Sequence, residues 1–564
     1  MSILITKRWI IKPPHPQLQV QLSNALQIHP IIAQLLVNRE VDQEADARDF
    51  LFGNLADLHD PFLLKDMDRA VNRIHKARDS DELVLIFGDY DVDGVTSSAL
   101  LNFVLKKIGV RVMHYIPHRM HDGYGLNHDI AQLAKEKGVS LLIAVDCGIT
   151  AHSEVANLNS VGVEVIIFDH HEPPPEGIPS AVAVVNPKRA DCAYPFKSLA
   201  SVGLMAKLIQ ALLGKIDEDY LDLVALGTIA DVVPLRGENR IFVKNGLPKI
   251  AQTKNPGLSA LLDVAKIKGK AMRPFYVGFI LGPRINATGR MDSAQKSLEL
   301  FLSEDADEAY ALAQFLDKQN SERQKMQRDI VQEAFDIVER EVNFKDHKVI
   351  VVGKAGWHKG VLGIVASRLT ETYYRPSIVI SFSEGIGTAS ARSIEGFHLH
   401  EALTHCAEML EGYGGHRLAA GLTIKEENID PFRGLINQFA HSVLREEHLI
   451  PTLKIDCEIS LGSLDLKLVE IVDSLEPYGE GNPLPVFCSR NLTVKSTPAI
   501  LGKDTLKFWV TDGEAAFSAV GFGMAKYRDL VQLGQKVDLA YHLTIDDYHK
   551  QPTVQLKLKD IRES

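Results

Sequence analysis

The sequence predicts an α/β protein: a parallel-sheet core, joined by a long helix to a second α/β lobe, with a small β-barrel in the C-terminal part. Three observations predict it. Between about residues 80 and 235, short apolar runs alternate with amphipathic stretches. From Ala311 to Val342 a helical repeat runs without a Pro or Gly. After about residue 455, short strand-like runs are separated by turns.

Taken in order, residues 1–60 read as a helical lead-in with Ile28–Val37 as its apolar face. Leu83–Phe87, Leu141–Val145 and Val163–Phe168 are strand-like apolar runs. Such runs mark strands buried on both faces of a parallel sheet. In such sheets ligands sit beyond the carboxyl ends of the strands. Val95, Ala99, Phe103 and Val104 form one helical stripe after the first run. Met326, Ile330, Ala334 and Val338 recur every four residues along the long helix. The second α/β unit opens at Lys348–Val352 and contains an apolar helix, Gly360–Leu369, and a glycine-rich turn, Gly412–His416. Thr505–Val510 and Val554–Leu558 belong to the tail, read as a small antiparallel barrel. The expected division is 1–60 lead-in, 61–310 catalytic core, 311–345 connecting helix, 346–452 second lobe and 453–564 barrel.

At 564 residues, 45% hydrophobic and 24% charged, the chain has ordinary globular composition for three or four domains. No apolar run reaches the about 18 residues of a membrane span, and the first ten residues lack a secretory pattern. The expected compartment is the cytoplasm, with no membrane partner. None of the five cysteines is at C-x-x-C spacing, which speaks against a zinc ribbon or redox pair. A net charge of −11 argues against a nucleic-acid binder, since proteins that neutralise many phosphates usually carry a basic balance. A carboxylate-rich site, however, counts as negative only until its cations bind.

Gly88-Asp-Tyr-Asp-Val-Asp-Gly94 sets Asp89, Asp91 and Asp93 two residues apart. On a strand that spacing puts them on one face. Like charges so close need cations, and hard cations such as Mg²⁺ or Mn²⁺ favour oxygen ligands. Read alone, the segment also fits a solvated turn. Three further segments place chemistry after an apolar stretch: Asp146 in Val145–Gly148, Asp169-His170-His171, and Asp231 closing Leu223–Ala230. Each alone has a plain reading as a strand end, a surface loop or a helix end. Together they suit a two-metal phosphoesterase.

The order D-x-D-x-D-G, V-D-C-G, D-H-H, A-D-V-V-P resembles the DHH phosphoesterase superfamily. Gly414-Gly-His-Arg-Leu-Ala-Ala-Gly421 resembles the motif of its DHHA1 domain. The resemblance implies Asp91, Asp93, Asp146, His170 and Asp231 as metal ligands for two divalent cations, Mn²⁺ or Mg²⁺, with Asp89 serving the second. It implies that His171 contacts the scissile phosphate. Phe87 stands where the pyrophosphatase branch carries a metal-binding His, which argues against that branch. Likeness to the branch acting on single-stranded DNA extends over Trp357–Leu369 and Tyr478–Phe487. It implies a 5′-phosphate pocket of Arg119, Arg290, Ser390 and Arg392, with Arg284 as a fifth candidate. Gly414, Gly415 and His416 would add substrate contacts, and the tail would be an OB-fold holding the strand. No further domain is expected beyond it.

The implied activity is 5′→3′ exonuclease action on single-stranded DNA, releasing 5′-mononucleotides in recombination and repair. Single-strand-binding protein and a repair helicase are the implied partners. The alternatives are a phosphodiesterase for oligonucleotides or cyclic dinucleotides, and a non-catalytic replication scaffold on the same fold. A truncation near Leu453 is expected to leave a folded protein that still cleaves very short oligonucleotides.

Overall fold

The structure, a computed structural model, describes residues 7–117, 125–127, 129–291, 293–546 and 551–564. Its first lobe is built on five parallel strands in the spatial order Arg111–Tyr115, Leu83–Gly88, Val139–Val145, Glu164–Phe168, Ala183–Val185. Helices cover both faces. Val84, Ile86, Ile143 and Ile166 enter one core, and Leu85, Phe87, Leu142 and Ile167 the other. Buried on both faces, Val84–Phe87, Leu141–Val145 and Val165–Phe168 are apolar throughout, whereas the edge strand Arg111–Tyr115 is only partly buried and carries Arg111 and His114. Phe87 is fully buried and stacks on Tyr115, with ring centroids 5.6 Å apart.

Register decides where the chemistry lies. Gly88 pairs with Val145, Val145 with Phe168, and Phe168 with Val185. The next residues of three neighbouring strands are therefore Asp89, Asp146 and Asp169, in one row at the carboxyl edge.

The connecting helix spans Ala306–Glu341, 36 residues, or about 54 Å at 1.5 Å per residue. Asp305 caps it, accepting the Asp307 and Glu308 N–H groups. Ala309, Ala313 and Leu316 pack into the first lobe, and Ile330, Ala334 and Val338 into the second. One helix thus fixes the spacing of both lobes. The second lobe has a five-stranded mixed sheet, ordered Leu410–Gly415, Ala419–Lys425, Ile386–Arg392, Ser377–Ser383, Ile350–Ala355.

The C-terminal strands close a ring, because Phe487–Val494 pairs with both Lys536–Asp546 and Thr505–Thr511. The ring is not purely antiparallel: Ala516–Gly521 runs parallel to Thr553–Glu563. Among the tail's aromatics, Phe508 and Tyr541 fill the barrel core, whereas Trp509 is 46% and Phe522 65% exposed.

The lead-in docks on this barrel. Leu22, Leu35 and Leu36, fully buried, share a core with Leu461, Val472 and Leu475. Strand Arg8–Ile11 pairs parallel with Thr452–Ile455. A tail removable at Leu453 is therefore not what the structure contains: a cut there splits a shared core.

Candidate active site

The three carboxylates of the first motif converge differently from a strand face. The strand stops at Gly88, and Asp89 follows it at the sheet edge. Asp91 is the N-cap of helix Val92–Lys107, its Oδ1 accepting the Gly94 N–H at 3.1 Å. Asp93 lies in the first helical turn, where a carboxylate is favoured by the helix dipole. The period-two expectation fails because Asp is a strong N-cap former and starts a helix there. Gly94 makes the convergence fit, since a Cβ there would come within 2.5 Å of the Asp89 carbonyl oxygen.

Asp93 is fully buried and accepts the N–H groups of Ser201 and Val202 at 2.7 and 2.8 Å. It therefore also caps helix Ser201–Leu213. Asp146 sits in the left-handed region at φ 64°, strain of about 1–3 kcal/mol of the kind concentrated at functional sites. Asp231 caps the end of helix Leu221–Ala230, and Val232 after it is also left-handed at φ 61°.

His170 Nε2 lies 3.3 Å from Asp146 Oδ1 and 3.6 Å from Asp231 Oδ2. All three atoms are buried without a hydrogen-bond partner. Buried polar atoms rarely go unsatisfied, and three of them meeting at one point fit a cation. The other His170 nitrogen bonds the Leu199 carbonyl, the outer contact that orients a ligating imidazole. Three donor sets have their atoms within 4.8 Å of one another: Asp93, His170 and Asp231; Asp146, His170 and His171; Asp89, Asp91 and Asp146. Overlap through Asp146 and His170 fits two adjacent ions.

His171 stands at the mouth of the site. Asp169, which sequence reading left out of the site, holds it: Oδ1 is 2.7 Å from His171 Nδ1, and Oδ2 accepts the Ile149 N–H at 2.9 Å. The signal was there, as the first letter of D-H-H.

A cleft of about 450 Å³ opens over these residues, lined by Asp89, Asp91, His171, Asn286, Arg290 and His416. His416 arrives from the second lobe, on the turn after strand Leu410–Gly415. Gly415 is needed for that turn, because at φ 137° a Cβ would lie 2.5 Å from the Ala419 carbonyl oxygen. A Cβ on Gly414 would meet nothing within 4 Å. Arg290 donates to the Gly360 carbonyl at 3.2 Å. Ser390 and Arg392 lie against the first turn of helix Leu362–Tyr373, where a Cβ on Gly363 would be 3.3 Å from Ser390 Oγ and 3.0 Å from an Arg392 nitrogen. Arg284 is drawn elsewhere, to Asp317 at 2.9 Å and the Ile280 carbonyl at 2.7 Å. Arg119 lies outside the described residues.

Burial, then the charges of Asp93 and Asp91, push the Asp231 carboxyl up to about 9. Burial, then Asp91, push Asp93 up to about 7, against its two backbone N–H bonds. Burial, then His171, pull His170 down to about 4. Both carboxyls hold protons more tightly folded than unfolded, so stability falls as pH rises through their folded values. His170 acts oppositely, destabilising only below its ordinary value of about 6.5. Between about pH 6.5 and 9, the chelated protein should therefore melt at progressively lower temperature. Mn²⁺ should restore the loss most at the alkaline end, because ligands bind deprotonated. A melting temperature in EDTA that is flat or rises with pH would remove this cluster from the metal assignment.

Three stretches match known families: residues 83–228 the DHH family, N-terminal domain; 346–442 the DHHA1 domain; 455–560 the RecJ OB domain. The single-stranded-DNA-specific exonuclease RecJ of Bacillus subtilis is 39% identical over 98% of this chain and 70% of that protein. The chain belongs to the RecJ family. RecJ of Haemophilus influenzae is 35% identical over 95% of this chain and 97% of its own. The crystal structure of Thermus thermophilus RecJ with Mn²⁺ superposes at a TM-score of 0.85 and 29% identity, covering 99% of this chain and 80% of that one. The fold predicted from sequence, a DHH core, a DHHA1 lobe and an OB barrel, is thus the RecJ fold.

Proposed function

We propose that this RecJ-family chain is a metal-dependent exonuclease specific for single-stranded DNA, acting 5′→3′ and releasing 5′-mononucleotides. The observation that carries the reading is the meeting of His170 Nε2, Asp146 Oδ1 and Asp231 Oδ2, buried and unpartnered, below a cleft shared by two lobes. Asp89, Asp91, Asp93, Asp146, His170 and Asp231 would hold two divalent cations, Mn²⁺ or Mg²⁺. Bound there, such ions supply Lewis-acid charge stabilisation and an activated water. Asp169 fixes the His171 tautomer, so the other ring nitrogen is the one offered to the phosphate. Arg290, Ser390 and Arg392 gather near the start of helix Leu362–Tyr373, whose N–H groups favour an anion. A 5′-phosphate held there would set the polarity of attack. The barrel would hold the strand further out, with Trp509 and Phe522 available for base stacking; Lys557 lies 5.5 Å from the Phe522 ring centroid. Delivery of the strand by single-strand-binding protein and a repair helicase belongs to the same proposal.

Release of nucleotides from labelled single strands and matched duplexes, with Mn²⁺ and with chelator, tests the reading. Equal action on duplex, or activity that survives the chelator, would overturn it. Polarity has its own test. Arg392→Ala should reduce cleavage of 5′-phosphorylated strands about tenfold or more relative to 5′-hydroxyl strands, as a charge-assisted contact contributes about 1.5–3 kcal/mol. Equal loss on both would make Arg392 structural.

A further inference from the structure

Asp231 differs from its neighbours in how it is held. Asp91 and Asp93 are fixed by backbone N–H groups, and His170 by the Leu199 carbonyl. Asp231 Oδ2 is buried without a hydrogen-bond partner. Its place depends on the backbone of residues 231–236, the connection between helices Leu221–Ala230 and Gly237–Ala251. That connection is strained. Val232 is left-handed at φ 61°, an outlier for a β-branched residue. Its side chain is 65% exposed, so packing does not pin it. Such strain persists only where the surrounding structure over-determines it.

The surrounding structure comes from the barrel domain. The Leu235 N–H donates to the Glu480 carbonyl at 2.7 Å. Arg236 donates through Nε to the Gly481 carbonyl at 3.0 Å and through Nη2 to the Arg39 carbonyl at 2.7 Å. Two glycines allow the approach. A Cβ on Gly479 would lie 2.6 Å from Leu235 Cδ1, and one on Gly481, at φ 71°, 3.1 Å from Pro234 Cβ. The loop is itself braced. Gly479 and Asn482 exchange backbone hydrogen bonds of 2.9 and 3.1 Å. The fully buried Asn482 side chain donates to the Leu475 and Pro477 carbonyls at 2.8 and 2.9 Å, and accepts from Arg39 Nε at 2.7 Å. The cleft over the carboxylates is lined by other residues.

We propose that Arg236 and the loop Gly479–Asn482 are positioning groups for Asp231, so that the barrel domain sets how tightly the metal site holds its cation. The inference rests on Asp231 as a ligand in the function proposed above, and not on the choice of substrate. Outer partners of metal ligands contribute roughly 10–100-fold in affinity. Here those partners belong to a different domain from the ligand they hold.

The test uses the full chain and Mn²⁺ alone, with free Mn²⁺ read by electron paramagnetic resonance. Arg236→Ala should weaken one bound Mn²⁺ about tenfold. Gly481→Ala, acting from the barrel side, should do the same. In nucleotide release, the half-saturating Mn²⁺ concentration should rise by that factor, with the rate at saturating Mn²⁺ retained. Leu461→Ala, in the core shared by lead-in and barrel, should lower the melting temperature and leave Mn²⁺ affinity unchanged. That contrast separates positioning from a general loss of stability. Wild-type Mn²⁺ affinity in Arg236→Ala and Gly481→Ala, or an equal weakening in Leu461→Ala, overturns the proposal. Wild-type affinity in Asp231→Ala overturns both the ligand and its positioning. A wild type that shows these shifts but releases no nucleotide overturns the exonuclease reading and leaves the positioning standing.

Discussion

Asp146→Ala and His170→Ala are each expected to lower nucleotide release from a labelled single strand by roughly three orders of magnitude or more, through loss of a bound cation and its activated water. The fold should survive. The ligand atoms of both residues make no hydrogen bond within the protein, so little internal structure is lost with them. Asp146 is held far above the usual carboxylate range by burial, then by Asp93, Asp91 and other neighbouring carboxylates. Removing it relieves that repulsion, and the chelated variant should melt no lower than chelated wild type. Asp91→Ala and Asp93→Ala are less clean, because each residue also caps a helix. Losing a cap costs about 0.5–2 kcal/mol. Turnover, bound Mn²⁺ per chain and melting in EDTA together check this. A near-normal rate with unchanged metal stoichiometry in Asp146→Ala or His170→Ala would refute the ligand assignment.

What local patterning encodes was legible, and what depends on distant partners was not. Leu83–Phe87 and Leu141–Val145 declared strands buried on both faces because no residue in them tolerates water, and the parallel sheet then put Asp89 and Asp146 at one edge. Asp231 was legible as a helix end. The geometry of Asp91 and Asp93 was misread as strand alternation, since a cap and a first turn also bring carboxylates together. Arg284, the fifth candidate for the phosphate pocket after Arg290 and the others, is drawn off by Asp317, a partner that only the fold places beside it. The choice of Trp509 over its neighbour Phe508 needed the barrel's inside and outside. The lead-in's partner is the most distant of all, because Leu22 meets residues more than four hundred positions later.

That partnership gives the second large effect. Ending the chain near Leu453 should leave a protein that melts about 10 °C or more lower and binds a hydrophobic dye. The cut removes the larger part of a shared core, exposing Leu22, Leu35 and Leu36, each fully buried now. It also strips two buried guanidinium groups. Arg39 donates to Asn482 Oδ1 at 2.7 Å and to the Pro483 carbonyl at 2.6 Å. Arg240, from the first lobe, donates to the carbonyls of Leu475, Glu476 and Pro477 and lies over the Phe50 ring, 4.0 Å from its centroid. Burial pulls Arg240 down only to about 10, so it stays charged at neutral pH. A buried charge losing its partners costs about 3–5 kcal/mol, or roughly 10 °C at 2–4 °C per kcal/mol. Deleting residues 1–60 together with the tail removes the orphaned face of the core, and Arg240→Met removes the stranded charge of the first lobe. The combined variant should regain cooperative melting and cleave short oligonucleotides with Mn²⁺. A truncation at Leu453 alone that melts like the full chain and binds no dye would show that lead-in and barrel fold independently.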